Sequence, residues 1–351
     1  MRLVDRLAIF GGIFGLIASC QAVQAQSVEQ FYRGRTVQLV IPTSPGGNYD
    51  LNARLVSRHL GRFIPGNPNI VPQNAPGAGG MLVANRLANT MDRDGSVIAI
   101  LERGTPQLPY EGDANAKYDP LKFTWLGSLS SYADDAYLLL VMSRHPAKSY
   151  EDLRKPGMVV RLGGDKPGST NLTFAILARD LLKLPVQVVR GYNGAAPMFL
   201  AMQSGELDGQ VIGMGSARGA QSALWNSGQL RPLLQFGRLT RVAEFPDVPT
   251  GRELISDPAS LSLLEFAEIS FFMALPFLAP PEVPADRAAA LRKAFMDMVK
   301  DAQFLDDARK SGFSITPVDG DGVRALVARM AATPADVIKR YVDVVARGRS
   351  D

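Results

Sequence analysis

Four short stretches of this 351-residue chain join glycine, proline and small polar residues directly after a strand-like run: SPGGNYD (44–50), NAPGAGG (74–80), KPGSTN (166–171) and GYNGAAP (191–197). In each case a helix-patterned segment follows. Glycine lets backbone come close to a ligand, and a helix start carries unpaired N–H groups with partial positive charge. A carboxylate or phosphate can be held there without Arg or Lys. One such loop is no more than a turn. Four in one chain, two in each half, point to a ligand cleft. In the first loop Asn48 and Asp50 are both good helix N-cap types.

Other chemistries lack their parts. GGDKPGST (163–170) has the glycine spacing of a phosphate-binding loop, but Ser169 stands where its lysine belongs. APGAGG (75–80) fails the spacing of a dinucleotide fingerprint. The two histidines are far apart: His59, flanked by Arg58 and Arg62, reads as solvated, and His145 precedes Pro146 in a loop. Ser216 has glycines at the wrong offsets for a nucleophile elbow. Asp134-Asp135 is the first carboxylate pair to weigh for hydrolysis, yet neighbours in a strand face opposite ways. With one cysteine, Cys20, neither a disulfide framework nor a cysteine-based metal site is expected, and no cofactor or metal is expected at all.

The elements that must position these loops alternate. TVQLVIP (36–42), NIVPQN (69–74) and SVIAILE (96–102) read as strands around helices at 51–63 and 81–91, a βαβαβ order. A second series follows SSYADDAYLLLVMSR: strands at 158–162, 185–191, 208–213 and 230–237, with a helix through Phe174, Leu177 and Leu181 and another ending near Ser204. The last third opens on EISFFMALPFLAP and closes in two amphipathic helices, near 284–310 and 320–347. Each half is expected to be a mainly parallel sheet flanked by helices.

Length suggests about two domains, and 46% hydrophobic with 21% charged residues is a globular composition. The net charge of +4 is spread without a basic run, which argues against nucleic acid. The N-terminus has the plan of a secretory signal: MRLVDR, then LAIFGGIFGLIAS, then small residues VQA at 23–25. IASC (17–20) also resembles a lipobox, which would tether the mature chain through Cys20. The chain is therefore expected in the periplasm, free or lipid-tethered.

In order, the motifs P-x-x-P-G-G-x-x-D (42–50) with Ala53-Arg54, PGAGG (76–80), Asp94-Gly95, FTWLG (123–127), GST (168–170), Y-x-G-x-A-P (192–197), SGELD (204–208) and FPDVPT (245–250) resemble one family. These are the substrate-binding receptors of tripartite tricarboxylate transporters, the Bug or TctC-like family, and the resemblance spans about residues 31–345. It implies an α/β two-domain periplasmic binding protein, a Venus-flytrap joined by crossing hinge strands, which binds an organic acid and works with a membrane permease. The chain departs from the family pattern at Asn193, at GSTNLT, which lacks a following histidine, and after Asp208.

The resulting expectation is a monomeric, non-enzymatic receptor for a small carboxylate. Residues 27–138 and 266–351 would form one domain and 139–265 the other, after a signal over 1–25. Its grip would use Ser44, Gly46, Gly47 and Asn48, then Ala78, Gly79 and Gly80, against Ser169, Thr170, Asn171, Gly194 and Ala195, with backbone and bridging water rather than guanidinium groups. Asp50 reads as a helix cap or a water-bridged ligand contact, and Asp208 as a turn end or a ligand contact. A sensor for a membrane signalling protein and a secreted carboxylate-pair hydrolase are the alternatives.

Overall fold

A computed structural model describes residues 26–350 apart from 166–168 and 193. The expected export signal with Cys20, and the departure at Asn193, lie outside the described residues. The chain first forms α1 (Val28–Tyr32), β1 (Thr36–Ile41), α2 (Asn48–His59), a 3-10 turn (Leu60–Phe63) and β2 (Asn69–Asn74). A second 3-10 turn (Ala78–Gly80), α3 (Met81–Asn89) and β3 (Val97–Ile100) follow. β1 lies between β2 and β3 and parallel to both, pairing Val37 with Ile70 and Leu39 with Ile98. β3 is apolar at every position because both of its faces are covered.

After β4 (Thr124–Ser128) the chain crosses to a second sheet. There it forms β5 (Tyr137–Met142), α4 (Tyr150–Leu153), β6 (Val160–Gly163), α5 (Thr170–Asp180), β7 (Val186–Val189) and α6 (Ala195–Ser204). β8 (Gly209–Gly213), α7 (Met214–Ala220), α8 (Ser222–Asn226) and β9 (Leu230–Phe236) complete it. The return runs through α9 (Pro258–Glu268) into β10 (Pro276–Ala279), and then α10 (Ala285–Met298), α11 (Ala302–Lys310), β11 (Val318–Asp319), α12 (Gly320–Ala331) and α13 (Ala335–Ser350).

The strand orders are β11-β4-β10-β3-β1-β2 and β7-β6-β8-β5-β9. Both sheets are mixed and mainly parallel in strand direction, as expected: β1 to β4 run one way in the first and β6 to β9 in the second. β10 runs against β3 and β4, and β5 runs against β8 and β9. Of the antiparallel strands, β5 and β10 each follow a crossing, whereas β11 pairs against β4 at the edge of the first sheet. A strand entering from the neighbouring sheet arrives at the edge where the parallel strands end, so it must run the other way.

The two long C-terminal helices expected from periodicity are four. Asp301 ends one path and caps α11 by accepting from the Phe304 amide, and Pro334, lacking an N–H, separates α12 from α13.

One hydrophobic cluster runs through both sheets, from Val40, Ala99 and Trp125 to Leu139, Leu162 and Val211. α13 closes over it with Val337, Tyr341, Val344 and Val345 and lies against α5 and α9. Between the sheets sit Tyr132, Tyr137, Phe174, Phe236 and Phe271, with neighbouring ring centroids 4.9–5.9 Å apart. Such pairing contributes beyond the buried area itself.

Beneath this cluster Glu268 is fully buried, accepting from Arg252 Nε at 2.6 Å and the Gly237 amide at 2.9 Å. Burial pushes its carboxyl up to about 7 even though Arg252 and the Gly237 amide pull the other way. A carboxyl raised in the folded state holds its proton longer than the unfolded chain does, so its contribution falls as pH rises through about 7. Removing Arg252 strands the carboxylate. Arg252→Ala is expected to cost about 3–5 kcal/mol at pH 8 and clearly less at pH 5, where Glu268 can stay protonated. Urea unfolding at the two pH values checks this; an equal cost at both would be the wrong outcome.

Candidate ligand-binding site

The first three parallel strands end together, and so do β6, β7 and β8 in the second sheet. What leaves these ends shares one property. α2, α3, α5, α6 and α7 start after Gly47, Gly80, Ser169, Gly194 and Gly213, and none of these residues gives a side-chain cap. Elsewhere, Ser27, Ser149, Asp257, Asp301 and Asp319 each accept from an amide of the helix they start. The exceptions among helices with a described cap are α8 and α10, the latter led in by Pro284. Of these, α2, α5 and α6 keep amides of their first turns open for an acceptor that is not their own cap, whereas the Met214 and Gly215 amides of α7 are held by the Ala136 carbonyl and Asp135, and the Met81 amide of α3 by the Ala78 carbonyl.

Asn48 and Asp50 do not cap α2, contrary to expectation. Gly47 takes that place because a glycine in extended conformation (φ −82°, ψ 169°) gives a helix entry with no side chain over the amides. Asn48 instead accepts from Asn52 Nδ2 at 2.9 Å. The Asp50 carboxylate is 2% exposed and accepts from the Gly46 amide (2.8 Å), Arg54 Nε (3.0 Å) and Asn74 Nδ2 (2.8 Å). Asn74 Nδ2 also reaches the Thr43 carbonyl at 2.9 Å. Asp50 is thus the knot that ties the first loop to the end of β2. Its oxygens are occupied by the protein, which corrects its reading as a ligand contact. Ser44, Gly46 and Gly47 are left exposed above it.

In the second loop, Ala78, Gly79 and Gly80 have φ of 46°, 59° and 85° in succession. Thr105 Oγ1 donates to the Gly79 carbonyl at 3.1 Å, and a Cβ at Gly80 would lie 2.8 Å from that same hydroxyl oxygen, so glycine is required there. On the other sheet Ser169 Oγ donates to Asn171 Oδ1 at 2.6 Å, which also accepts from the Leu172 amide at 2.6 Å. Asn171 thus braces the start of α5. Gly194 (φ 92°) and Ala195 lead into α6, both half-buried.

Two expected details fail for geometric reasons. Asp208 stands before the first residue of β8, at the opposite end of the strand from the helix starts, about 13 Å or more away at roughly 3.3 Å per residue. Its carboxylate is held by Arg161 through Nη2 (2.8 Å), Nε (3.0 Å) and the Arg161 amide (2.8 Å), so it is a brace of the sheet and not a ligand contact. His59 is buried, not solvated, with Nε2 2.9 Å from Asp307 and Nδ1 2.8 Å from Arg62. His145 is also buried and engages the Val159 carbonyl and the Ala147 amide. Asp134 and Asp135 diverge, the first to Ser314 and the second to the amides of Gly215 and Ala136. Burial raises the Asp135 carboxyl despite those two amides. Among the described residues no His, Cys, Asp and Glu group could hold a metal ion.

The residue that sequence reading missed is Arg103. It follows β3 by three positions, the same place in the first sheet as the two glycine loops. Its amide donates to Tyr49 Oη at 3.0 Å. Its guanidinium donates to Tyr132 Oη at 3.0 Å and crosses to Thr170 Oγ1, at the start of α5, at 3.2 Å. It rests on Phe271, 4.6 Å from the ring centroid. The four loops whose grip was read without guanidinium groups contain no arginine, and Arg103 stands outside them. The signal available was position alone: Arg103-Gly104 ends a parallel strand, where ligands of such sheets collect.

Two mixed sheets, two crossings and uncapped helix starts meeting across Arg103 and Thr170 define a two-lobed solute-binding protein. The model of the Tripartite tricarboxylate transporter family receptor matches residues 53–341, and the chain belongs to that family, a family of periplasmic receptors. It is 29% identical over 244 residues to the UPF0065 protein in gbd 5' region of Cupriavidus necator, covering 66% of this chain and 68% of that one. The crystal structure of a TctC solute binding protein from Polaromonas shares the fold with TM-score 0.68 and 20% identity, over 90% of this chain and 99% of that one. MatC from Rhodopseudomonas palustris with bound malate does so with TM-score 0.56 and 23% identity, over 89% and 99%. No described helix is long and apolar enough to cross a membrane.

Burial opposes ionisation of Asp50, but Arg54, the Gly46 amide and Asn74 outweigh it and hold the carboxyl below its usual range. Its contribution is therefore present above about pH 4 and is lost as acid carries the pH through the depressed native value. Asp50→Ala is expected to cost about 2–3 kcal/mol at pH 7 and to speed amide exchange at Gly46. Hydrogen exchange unchanged at Gly46 would mean that the loop is held by something else.

Proposed function

We propose that this protein is an extracytoplasmic receptor that closes on a small organic acid and delivers it to the membrane permease of a tripartite tricarboxylate-type transporter. The observation that carries the reading is the division of the helices: starts at the strand ends of both sheets lack caps, while most starts elsewhere have one. An acid group arriving between the lobes would supply the missing acceptors to Gly47 and Asn48 and to Ala78 and Gly79 on one side, beside Gly46 and Gly80, whose amides are already held by Asp50 and the Gly77 carbonyl. Ser169, Thr170, Gly194 and Ala195 would act on the other. The malate in MatC, a protein of the same fold, supports a small carboxylate with more than one acid group.

The moving units in this reading are residues 27–138 with most of 266–351, and residues 139–265. The chain passes between them in the segments after β4 and after α9, with α13 leaning across onto α5. Closure is limited by how much better the acid binds the closed form than the open one. The receptor acts as a periplasmic monomer and turns nothing over.

The test is a thermal-shift screen of di- and tricarboxylates, aromatic acids and amino acids, with the recovered ligand checked by mass spectrometry. An acid present at about 100 times its Kd should add about 2.7 kcal/mol of stability and be recovered intact. Conversion of the acid to product, or stabilisation by amino acids alone, would sink the reading.

A further inference from the structure

Arg103 is half-buried, and among the described residues no carboxylate stands within ion-pair distance of it. Arg54, Arg161 and Arg252, which brace the two lobes, each sit on an aspartate or glutamate. Asp135, whose charge Arg103 feels, gives its carboxylate to the amides of Gly215 and Ala136 instead. The acceptors Arg103 does have are two neutral hydroxyls, Tyr132 Oη and Thr170 Oγ1. Burial raises the phenol pKa of Tyr49 and Tyr132, so neither tyrosine supplies negative charge.

One side of the guanidinium is filled by rings, with centroids at 4.6 Å (Phe271), 5.6 Å (Tyr137) and 5.7 Å (Tyr132). The two bonds to hydroxyls use two of its five N–H donors. A planar fork with donors to spare, taken partly out of water and given no ion-paired carboxylate, is unfavourable in an empty protein. It becomes favourable when a carboxylate docks.

We propose that Arg103 selects the ligand: with the Thr170 hydroxyl and the first amides of α5 it takes one carboxylate, while the open start of α2 takes a second acidic group. This rests on the receptor reading and adds a charge requirement to it. A diacid satisfies both positions, whereas a monoacid of the same length leaves one of them empty. Because Tyr132, in the crossing segment, and Thr170, in the opposite lobe, share the guanidinium, filling this position also favours closure.

The experiment compares the full-length mature protein with Arg103→Lys and Arg103→Met by melting and by calorimetric titration with malate, succinate and adipate, each against butyrate. Arg103→Met is expected to melt at the same temperature as the unaltered protein or higher when no acid is present. It should bind the diacids about 100-fold more weakly or worse, with Arg103→Lys between. Arg103→Met that melts several degrees lower and keeps its diacid affinity would make Arg103 a structural brace and overturn the proposal. Equal affinity of the unaltered protein for butyrate and for the diacids would overturn it too. If none of these acids binds the unaltered protein, the receptor reading fails on ligand class. The acid-free melting comparison still decides Arg103, since a drop means a brace and its absence an unfilled anion site.

Discussion

A helix inside a folded protein begins with amides that have no partner within the helix, and a buried unpaired amide is costly. This molecule meets that constraint in two ways. Away from the meeting edges of the two sheets, serine, threonine or aspartate caps close most of the helix starts. At those edges Gly47 and Gly194, and Ser169 with its hydroxyl turned to Asn171, leave the starts of α2, α6 and α5 open. The difference is local and chemical, and it follows the strand ends from which the helices leave. Asp50 shows the price of such openness: a buried carboxylate with Arg54 and Asn74 fixes the loop that no cap can fix.

The crossing between the sheets is built with similar economy. Tyr132 sits there with φ of 54°, a left-handed conformation unusual for a bulky side chain. Arg238, just beyond the end of β9, holds that segment by donating to the carbonyls of Tyr132 and Ala133, each at 2.6 Å, and to that of Asp135 at 3.2 Å. The strained residue carries the hydroxyl that receives Arg103, and its ring lies 5.0 Å from Phe271. Strain of this kind persists only where surrounding contacts over-determine it. Here the contacts come from both crossings at once, which makes the crossings and the strand ends beside them parts of one packed unit.

Much of the scaffold was legible without coordinates. NIVPQN reads as a strand over 69–74 and is one over those residues, and the helix read as ending near Ser204 ends there. Periodicity works for these segments because each is local and has a single buried face or two. It fails for the C-terminal helices, whose apolar pattern continues across the breaks at Asp301 and Pro334 while the backbone turns. It is silent on the strand sense beside the crossings, because a strand bears no mark of the direction from which its neighbour arrives.

The sequence by itself determined the alternation of elements, the placing of glycine at strand ends and the family resemblance. All of these depend on residues near one another in the chain or on ordered motifs along it. Only the tertiary structure decided which polar groups were already spent. Asp208 is drawn to Arg161, 47 positions away, and His59 to Asp307, 248 positions away. Arg103 faces Thr170 from the other sheet, 67 positions on. A side chain's chemistry is written in its type, but its availability depends on what else folds within hydrogen-bond reach, and that is a property of the assembled protein.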